Sequence, residues 1–195
     1  LNGTLPIQNY AIQSQYNNAV ADLAQLPNMI DYFSSLFGTY PFEKYGNSIV
    51  PNSVYGAMEH QTMTTLSSFL INGNGTYEVT IAHELAHQWY GDAVSFLTFK
   101  DVWLSEGFAT YSEHLWTDKR FGWPSAVAYV TSSYHDYYIN WENAYGLTPR
   151  IYDPAFADYF SPPSYEKAAS VLHMLRLRLG DAQFFNLLNQ WFIQN

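Results

Sequence analysis

From Asn17 to Phe37 apolar residues recur at steps of three and four (Val20, Leu23, Ala24, Pro27, Ile30, Phe33, Phe37), the spacing of one helix face. Pro27 fits best where a new helix starts, because proline is tolerated in a first turn but not in an interior. Gly38, Pro41 and Gly46 then break the pattern. Between Tyr45 and Ser67 short alternations rich in Val, Ile, Thr and Gly predict strands and turns. Asn72-Gly73-Asn74-Gly75 is the clearest loop, and after it the pattern turns helical. Helices are predicted over about Tyr77–Tyr90, Asp101–Phe121, Pro124–Asn140, Ser164–Leu179 and Asp181–Ile193. Pro124 suits a first helical turn and Gly180 a helix stop. The Pro-rich stretch Pro149–Pro163 predicts an ordered surface loop between the middle helices and the last pair. Leu1–Tyr16 shows little periodicity and reads as an extended entry, a linker or the end of a preceding domain. The expected fold is α+β and mainly helical, with a helix-plus-strand lobe over 17–76 and a helical lobe over 77–195.

Length and composition narrow this picture. At 195 residues, 48% hydrophobic and 13% charged, the chain can bury a sizeable core in one domain, or in one domain with two lobes around a cleft. Aromatics reach 18%, and the default place for most of them is the core. A formal net charge of −9 argues against nucleic acid or an anionic membrane surface as partner, since both require a cationic patch. The absence of cysteine excludes disulfides, thiolate catalysis and thiolate metal sites. No apolar run approaches the roughly 20 residues of a membrane span. The start Leu1-Asn2-Gly3-Thr4 is not a signal peptide and lacks an initiator Met, so the sequence reads as a piece of a longer protein. Its compartment, cytoplasmic or exported, is left open.

The candidate chemistry sits on the first helix after the Gly-Asn loop. His83-Glu84-Leu85-Ala86-His87 matches the metalloprotease pattern His-Glu-x-x-His. Residues four apart lie nearly above one another on a helix, so both imidazoles can reach one cation. Glu84 projects about 100° round the helix, which places it beside the metal rather than on it. A catalytic zinc usually takes three protein ligands and leaves a position for water. With no cysteine, the third ligand must be His, Asp or Glu. Glu106 lies in the apolar stretch Val102–Ala109, where a buried carboxylate needs a partner, and a metal supplies one.

His83-Glu84-x-x-His87 followed after 18 residues by Glu106 resembles the gluzincin pattern. With HELAHQWYG (83–91), WLSEGFA (103–109) and Gly56-Ala57-Met58-Glu59, the chain resembles the aminopeptidase N family, which includes leukotriene hydrolase. The likeness runs from about Tyr40 to the C-terminus and implies a thermolysin-like two-lobed catalytic domain holding one Zn2+ on His83, His87 and Glu106. It further implies that Glu59 binds the free α-amino group of a peptide, a pairing of carboxylate and ammonium. Backbone groups of Gly56 and Ala57 would pair with that peptide, and Met58 would line the first side-chain pocket. Tyr165, in Tyr165-Glu166-Lys167-Ala168, would donate a hydrogen bond to the tetrahedral oxyanion. Two positions depart from the family: His60 stands where Asn is usual, and Ala168 where Gly is usual. Glu113, seven residues after Glu106, is a candidate acceptor for a ligand imidazole, with Asp92 and Asp101 weaker ones. His114, His135 and His173 have no partner at ligand spacing and read as ordinary surface or core residues.

The function so implied is hydrolysis of the N-terminal peptide bond by metal-activated water, with Glu84 as general base. Two rivals stand beside it: an endopeptidase or bifunctional hydrolase with the same chemistry, and a scaffold that kept the fold without activity. The family's flanking domains, a β-rich one before and a helical one after, do not fit in 195 residues. That leaves open weak or absent cleavage by the isolated piece, and self-association through its orphaned surfaces.

Overall fold

The computed structural model describes residues 5–51, 53–146 and 149–195. It is α+β and mainly helical, as the pattern predicts. The first lobe carries helices α1 (Tyr16–Asp22) and α2 (Leu26–Phe37) and a sheet of β1 (Ile7–Tyr10), β2 (Tyr45–Val50), β3 (Ala57–Met58) and β4 (Thr64–Ser67). Helix α2 has Pro27 in its first turn and buries Leu26, Met29, Ile30, Phe33 and Phe37 along one face. The sheet order is β1-β2-β4-β3. β1 and β4 flank β2 in parallel, with Gln8 opposite Gly46 and Ser48 opposite Thr65. β3 runs antiparallel at the edge, with Ala57 opposite Leu66 and Met58 opposite Thr65.

One expectation changes here. Ile7–Tyr10 belongs to the sheet rather than to a free linker, because its backbone pairs residue by residue with Tyr45–Ser48. Asn9 reinforces that pairing: its side-chain oxygen accepts from both the backbone N–H and the side-chain amide of Asn47. Leu1-Asn2-Gly3-Thr4 lies outside the described residues.

The second lobe is built from α3 (Glu78–Ala86), α4 (Trp103–Phe121), α5 (Trp123–Tyr129), α6 (Tyr137–Tyr145), α7 (Ala168–Leu179) and α8 (Asp181–Gln194). Helix α4 is its axis, buried almost continuously from Ser105 to Thr117 and packed against α3, α5 and α7. Two wide helical turns, Val130–Asp136 and Pro163–Lys167, connect α5 to α6 and lead into α7. No helix of the described residues is long and apolar enough to cross a membrane.

The lobes share one core. Trp89 is fully buried among Phe33, Phe37 and Tyr40, and its indole N–H donates to the Gly38 carbonyl at 2.8 Å. Burying such a ring stabilises by roughly 2–3 kcal/mol, and the hydrogen bond prevents its polar atom from offsetting that gain. Helix α8 returns to α2, where Asn189 caps the Phe37 carbonyl at 3.1 Å. The loop at 72–75 is ordered by the buried carboxylate of Asp22, which accepts from the N–H groups of Asn72, Gly73 and Gly75 at 2.7–2.9 Å. Gly73 and Gly75 take φ of +84° and +75°, which lets successive N–H groups converge on one anion. The start of α3 is therefore fixed relative to the first lobe.

Candidate metal centre

Helix α3 ends at Ala86, earlier than the Tyr90 expected, and His87 follows as its cap with φ −56° and ψ −25°. Those angles remain helical, so His83 and His87 keep the one-turn stacking that the spacing requires. Beyond them the chain widens: Asp92 N–H bonds the His87 carbonyl and Ala93 N–H that of Gln88, each across five residues. The last turn of α3 thus carries both imidazoles, and the first turn of α4 carries Glu106.

The three side chains converge. His83 Nε2 lies 3.1 Å from His87 Nε2 and 3.4 Å from Glu106 Oε2, and His87 Nε2 lies 3.3 Å from the same oxygen. Ligands at about 2.0–2.2 Å from a tetrahedral zinc stand about 3.3–3.5 Å apart, so this triangle has the size of one face of such a site. All three residues are buried. Burial drags the His83 imidazole down, but contacts with Glu106 and Glu113 outweigh it and hold the ring well above the usual histidine range. For Glu106 burial pushes up, and the two imidazoles overcome it and hold the carboxyl well below its ordinary range. The cluster therefore favours a positive charge between a carboxylate and two nitrogens, which is what a divalent cation provides.

The far nitrogens are anchored. His83 Nδ1 lies 2.7 Å from Glu113 Oε1, and the Tyr129 hydroxyl donates to the other oxygen of Glu113. His87 Nδ1 faces the Tyr90 carbonyl at 3.2 Å and Ser105 Oγ at 3.0 Å. With both Nδ1 atoms facing acceptors, a cation that displaces the protons from Nε2 would find both Nε2 lone pairs turned to the triangle. Asp92, a weaker candidate for this service, instead accepts from the side chain of Gln88 at 2.7 Å.

Glu84 is 7% exposed, and its Oε2 has no hydrogen-bond partner among the described residues. Burial pushes its carboxyl up to about 7; His83 and His87 oppose this, while Glu59 and Glu106 add to it. Tyr165 sits in the wide turn before α7, its ring stacked on His83 with centroids 6.3 Å apart. Burial first, then the charge of Glu106, raises its phenol further, so it is a neutral donor at any physiological pH.

A cleft of about 710 Å³ opens on these groups, with Ala57, Met58 and Glu59 along one margin. β3 is the sheet's edge strand, so the backbone side away from β4 has no strand partner among the described residues. Gly56 does not line the cleft; it forms the turn with φ +77° that leads into β3. His60 is exposed, with its Nδ1 3.1 Å from Thr65 Oγ1, and takes no part in the metal triangle.

Three features had no signal in the sequence reading. Ser105 supports His87 and was visible only as the residue before Glu106. Phe96, Phe99 and Phe160 form an apolar wall of the cleft, assembled from segments some 60 residues apart. Gln88, fully buried, joins the end of α3 to the segment carrying Glu59.

Comparison with known proteins agrees with this geometry. Residues 21–195 match the profile of the Peptidase family M1 domain. Aminopeptidase N of Streptomyces lividans is 32% identical in an alignment of 176 positions that covers 83% of this chain and 20% of that protein. A mutant M1 zinc metallopeptidase from Deinococcus radiodurans, bound to a Tyr-Ser-Ala substrate, matches with a TM-score of 0.70 and 29% identity over 98% of this chain and 39% of its own. Yeast LTA4 hydrolase in complex with bestatin reaches a TM-score of 0.82 over 96% of this chain and 31% of its own; at 21% identity this is a likeness of fold. The chain spans about one fifth of the length of the first of these relatives.

Proposed function

The chain belongs to the Peptidase family M1, and from that premise we propose that it is the catalytic core of a zinc-dependent aminopeptidase, hydrolysing the N-terminal bond of peptides. Residues 17–195 form the thermolysin-like catalytic domain in this reading, with 17–76 and 77–195 as its lobes. β1 adds Ile7–Tyr10 to the first lobe's sheet. The observation that carries the proposal is the triangle of His83, His87 and Glu106, with sides of 3.1–3.4 Å, beside an unpartnered buried carboxylate oxygen of Glu84.

His83, His87 and Glu106 would hold the zinc. When bound, the ion polarises the scissile carbonyl and acidifies water. Glu84 takes a proton from the attacking water and passes it to the leaving amine, a role for which its carboxylate is placed, buried beside the triangle with one oxygen unpartnered. Tyr165 donates its hydroxyl proton in a hydrogen bond to the oxyanion. Glu59 pairs with the substrate ammonium, and the free edge of β3 at Ala57 and Met58 takes the peptide backbone as an added strand. The wall of Phe96, Phe99 and Phe160 offers apolar surface to a substrate side chain. Partners on this reading are peptides with a free N-terminus.

Metal analysis, with activity before and after chelation and on readdition of zinc, tests the metal. Paired substrates with free and N-acetylated amines test the register, and acetylation should abolish cleavage. Glu84→Gln should keep about one zinc per chain and lose at least 10³-fold in kcat. Substantial residual turnover in that variant would remove Glu84 from the mechanism.

A further inference from the structure

Gln88 directly follows His87 and is fully buried, yet its amide joins its own turn to the segment at 59–62 and to Tyr40. Its Nε2 donates to the Glu59 carbonyl at 3.0 Å and to Asp92 Oδ2 at 2.7 Å. Its Oε1 accepts from the Thr62 N–H at 2.8 Å, and the Tyr40 hydroxyl, 3.0 Å away, shares its one proton between that oxygen and the Lys44 carbonyl, also at 3.0 Å. Two donors and two acceptor positions are the full capacity of a primary amide. Turning it over would set N–H against N–H at Thr62 and carbonyl against carbonyl at Glu59. The side chain therefore has one orientation, and burial makes leaving it costly.

The sheet cannot supply the same restraint. β3 is two residues long and pairs only through Ala57 and Met58, so Glu59 lies one residue past the last paired position. Gln88 grips the chain at 59 and again at 62, on either side of the turn that leaves the strand. We propose that Gln88 is a positioning residue that fixes the carboxylate of Glu59 at a set distance from the metal triangle, so that cleavage falls at the first peptide bond. This rests on the assignment of Glu59 as the amine site. Gln88 touches neither substrate nor metal in this role; it acts as the spacer between the two anchors of the substrate.

The ammonium–carboxylate pair forms in the ground state and persists in the transition state, so loosening it raises KM more than it lowers kcat. Gln88→Met keeps the length of the side chain and removes all four hydrogen bonds. In the zinc-loaded protein we expect unchanged zinc content, KM for an aminoacyl anilide raised at least fivefold with kcat within threefold, and the preference for free over N-acetylated substrate reduced in proportion. Calorimetric affinity for alaninamide, which involves no turnover, should fall by the same factor. A merely structural role would lower the active fraction, and with it kcat, and leave KM and the amine preference alone. That pattern in a folded, zinc-loaded variant would overturn the proposal. If Gln88→Met does not fold, Tyr40→Phe removes the donor that Oε1 shares with the Lys44 carbonyl and should raise KM about twofold; an unchanged KM there is equally adverse. A wild-type protein without amine preference would overturn the Glu59 assignment itself, whereas preference retained in both wild type and variant would overturn only the role of Gln88.

Discussion

Substituting Gly107 by alanine tests how the oxyanion donor is placed. Gly107 follows Glu106 on α4, and a Cβ built there would stand 2.5 Å from the Cβ of Ala168 and 3.3 Å from the Ser164 carbonyl. Ordinary carbon contacts need about 3.5–4.0 Å, so the first contact is short by about 1 Å or more. Neither neighbour can rotate away, because one is a Cβ and the other is backbone. The wide turn Pro163–Lys167 must therefore lift off α4, and Tyr165 moves with it. Overpacking of this kind costs about 1–3 kcal/mol, offset by roughly 1 kcal/mol of helix propensity gained over glycine. The net loss is about 0–2 kcal/mol, a drop in Tm of at most roughly 8 °C for a chain of this size. The larger effect is chemical: a misplacement of about 1 Å can cost 10²-fold. We expect kcat lowered about 10- to 100-fold, with zinc content unchanged because α3 and the first turn of α4 stay in place. Adding Ala168→Gly removes the clashing methyl and should restore most of the loss. Stopped-flow kinetics, metal analysis and thermal unfolding on the three variants decide the matter. Wild-type kcat in Gly107→Ala, or no recovery in the double variant, would refute the packing argument. The same contact explains why alanine is accommodated at 168: the facing residue has no side chain.

Asp22→Ala should destabilise the protein by about 2–3 kcal/mol, because three N–H groups of the loop lose a buried, charge-assisted acceptor; a urea midpoint implying less than 1 kcal/mol would show that the loop holds itself. Glu113→Gln keeps an acceptor near His83 Nδ1 but removes the charge, and should weaken zinc about tenfold in competition with a chromophoric chelator; unchanged affinity would exclude Glu113 from tuning the ligand. Burial, then the neighbouring His173, lowers the His114 imidazole to about 4 against an unfolded value of 6.5. The folded state thus binds fewer protons in that window, so the stability His114 contributes is present above pH 6.5 and is lost as pH falls towards 4. The loss is on the order of 3 kcal/mol; His114→Gln should flatten the Tm profile over that range, and an identical slope would show that His114 is not its source.

The metal triangle was legible because its information is local. Two histidines one turn apart need only a helix, and Glu106 was betrayed by its apolar setting on the next long helix. Helix α2 was equally plain, since its apolar face repeats over three turns. What the sequence hid depends on partners distant along the chain. Ile7–Tyr10 has three exposed residues of four and no alternation, and only pairing with β2 makes it a strand. The wide turns at 130–136 and 163–167 differ from an α-helix by one residue in each hydrogen bond, a difference that apolar spacing does not encode. Asp92 was considered as an imidazole acceptor, but its carboxylate faces Gln88 across one turn, and nothing in the spacing distinguishes the two uses.

The wide turn after α3 links these observations. Had the helix run on to Tyr90 with ordinary bonds, Gln88 would point about 100° away from His87 on a straight rod, and its reach towards Glu59 would depend on how the whole helix packed. Ending the helix at Ala86 lets the chain from His87 to Val94 coil tightly, with three successive bonds spanning five residues. Within those eight residues lie a metal ligand, the amide that holds the Glu59 segment, the Tyr90 carbonyl that orients His87, and Trp89, which locks the turn into the shared core. His87 and the Glu59 segment, the metal ligand and amine site of the proposed reading, are therefore referenced to one short turn rather than to two lobes that could shift independently. On the proposed reading, cleavage one residue from a free N-terminus sets a tolerance on that distance of less than the rise of one residue in a strand, about 3.3 Å. A short, fully hydrogen-bonded turn anchored by a buried indole meets that tolerance without requiring either lobe to be rigid along its whole length.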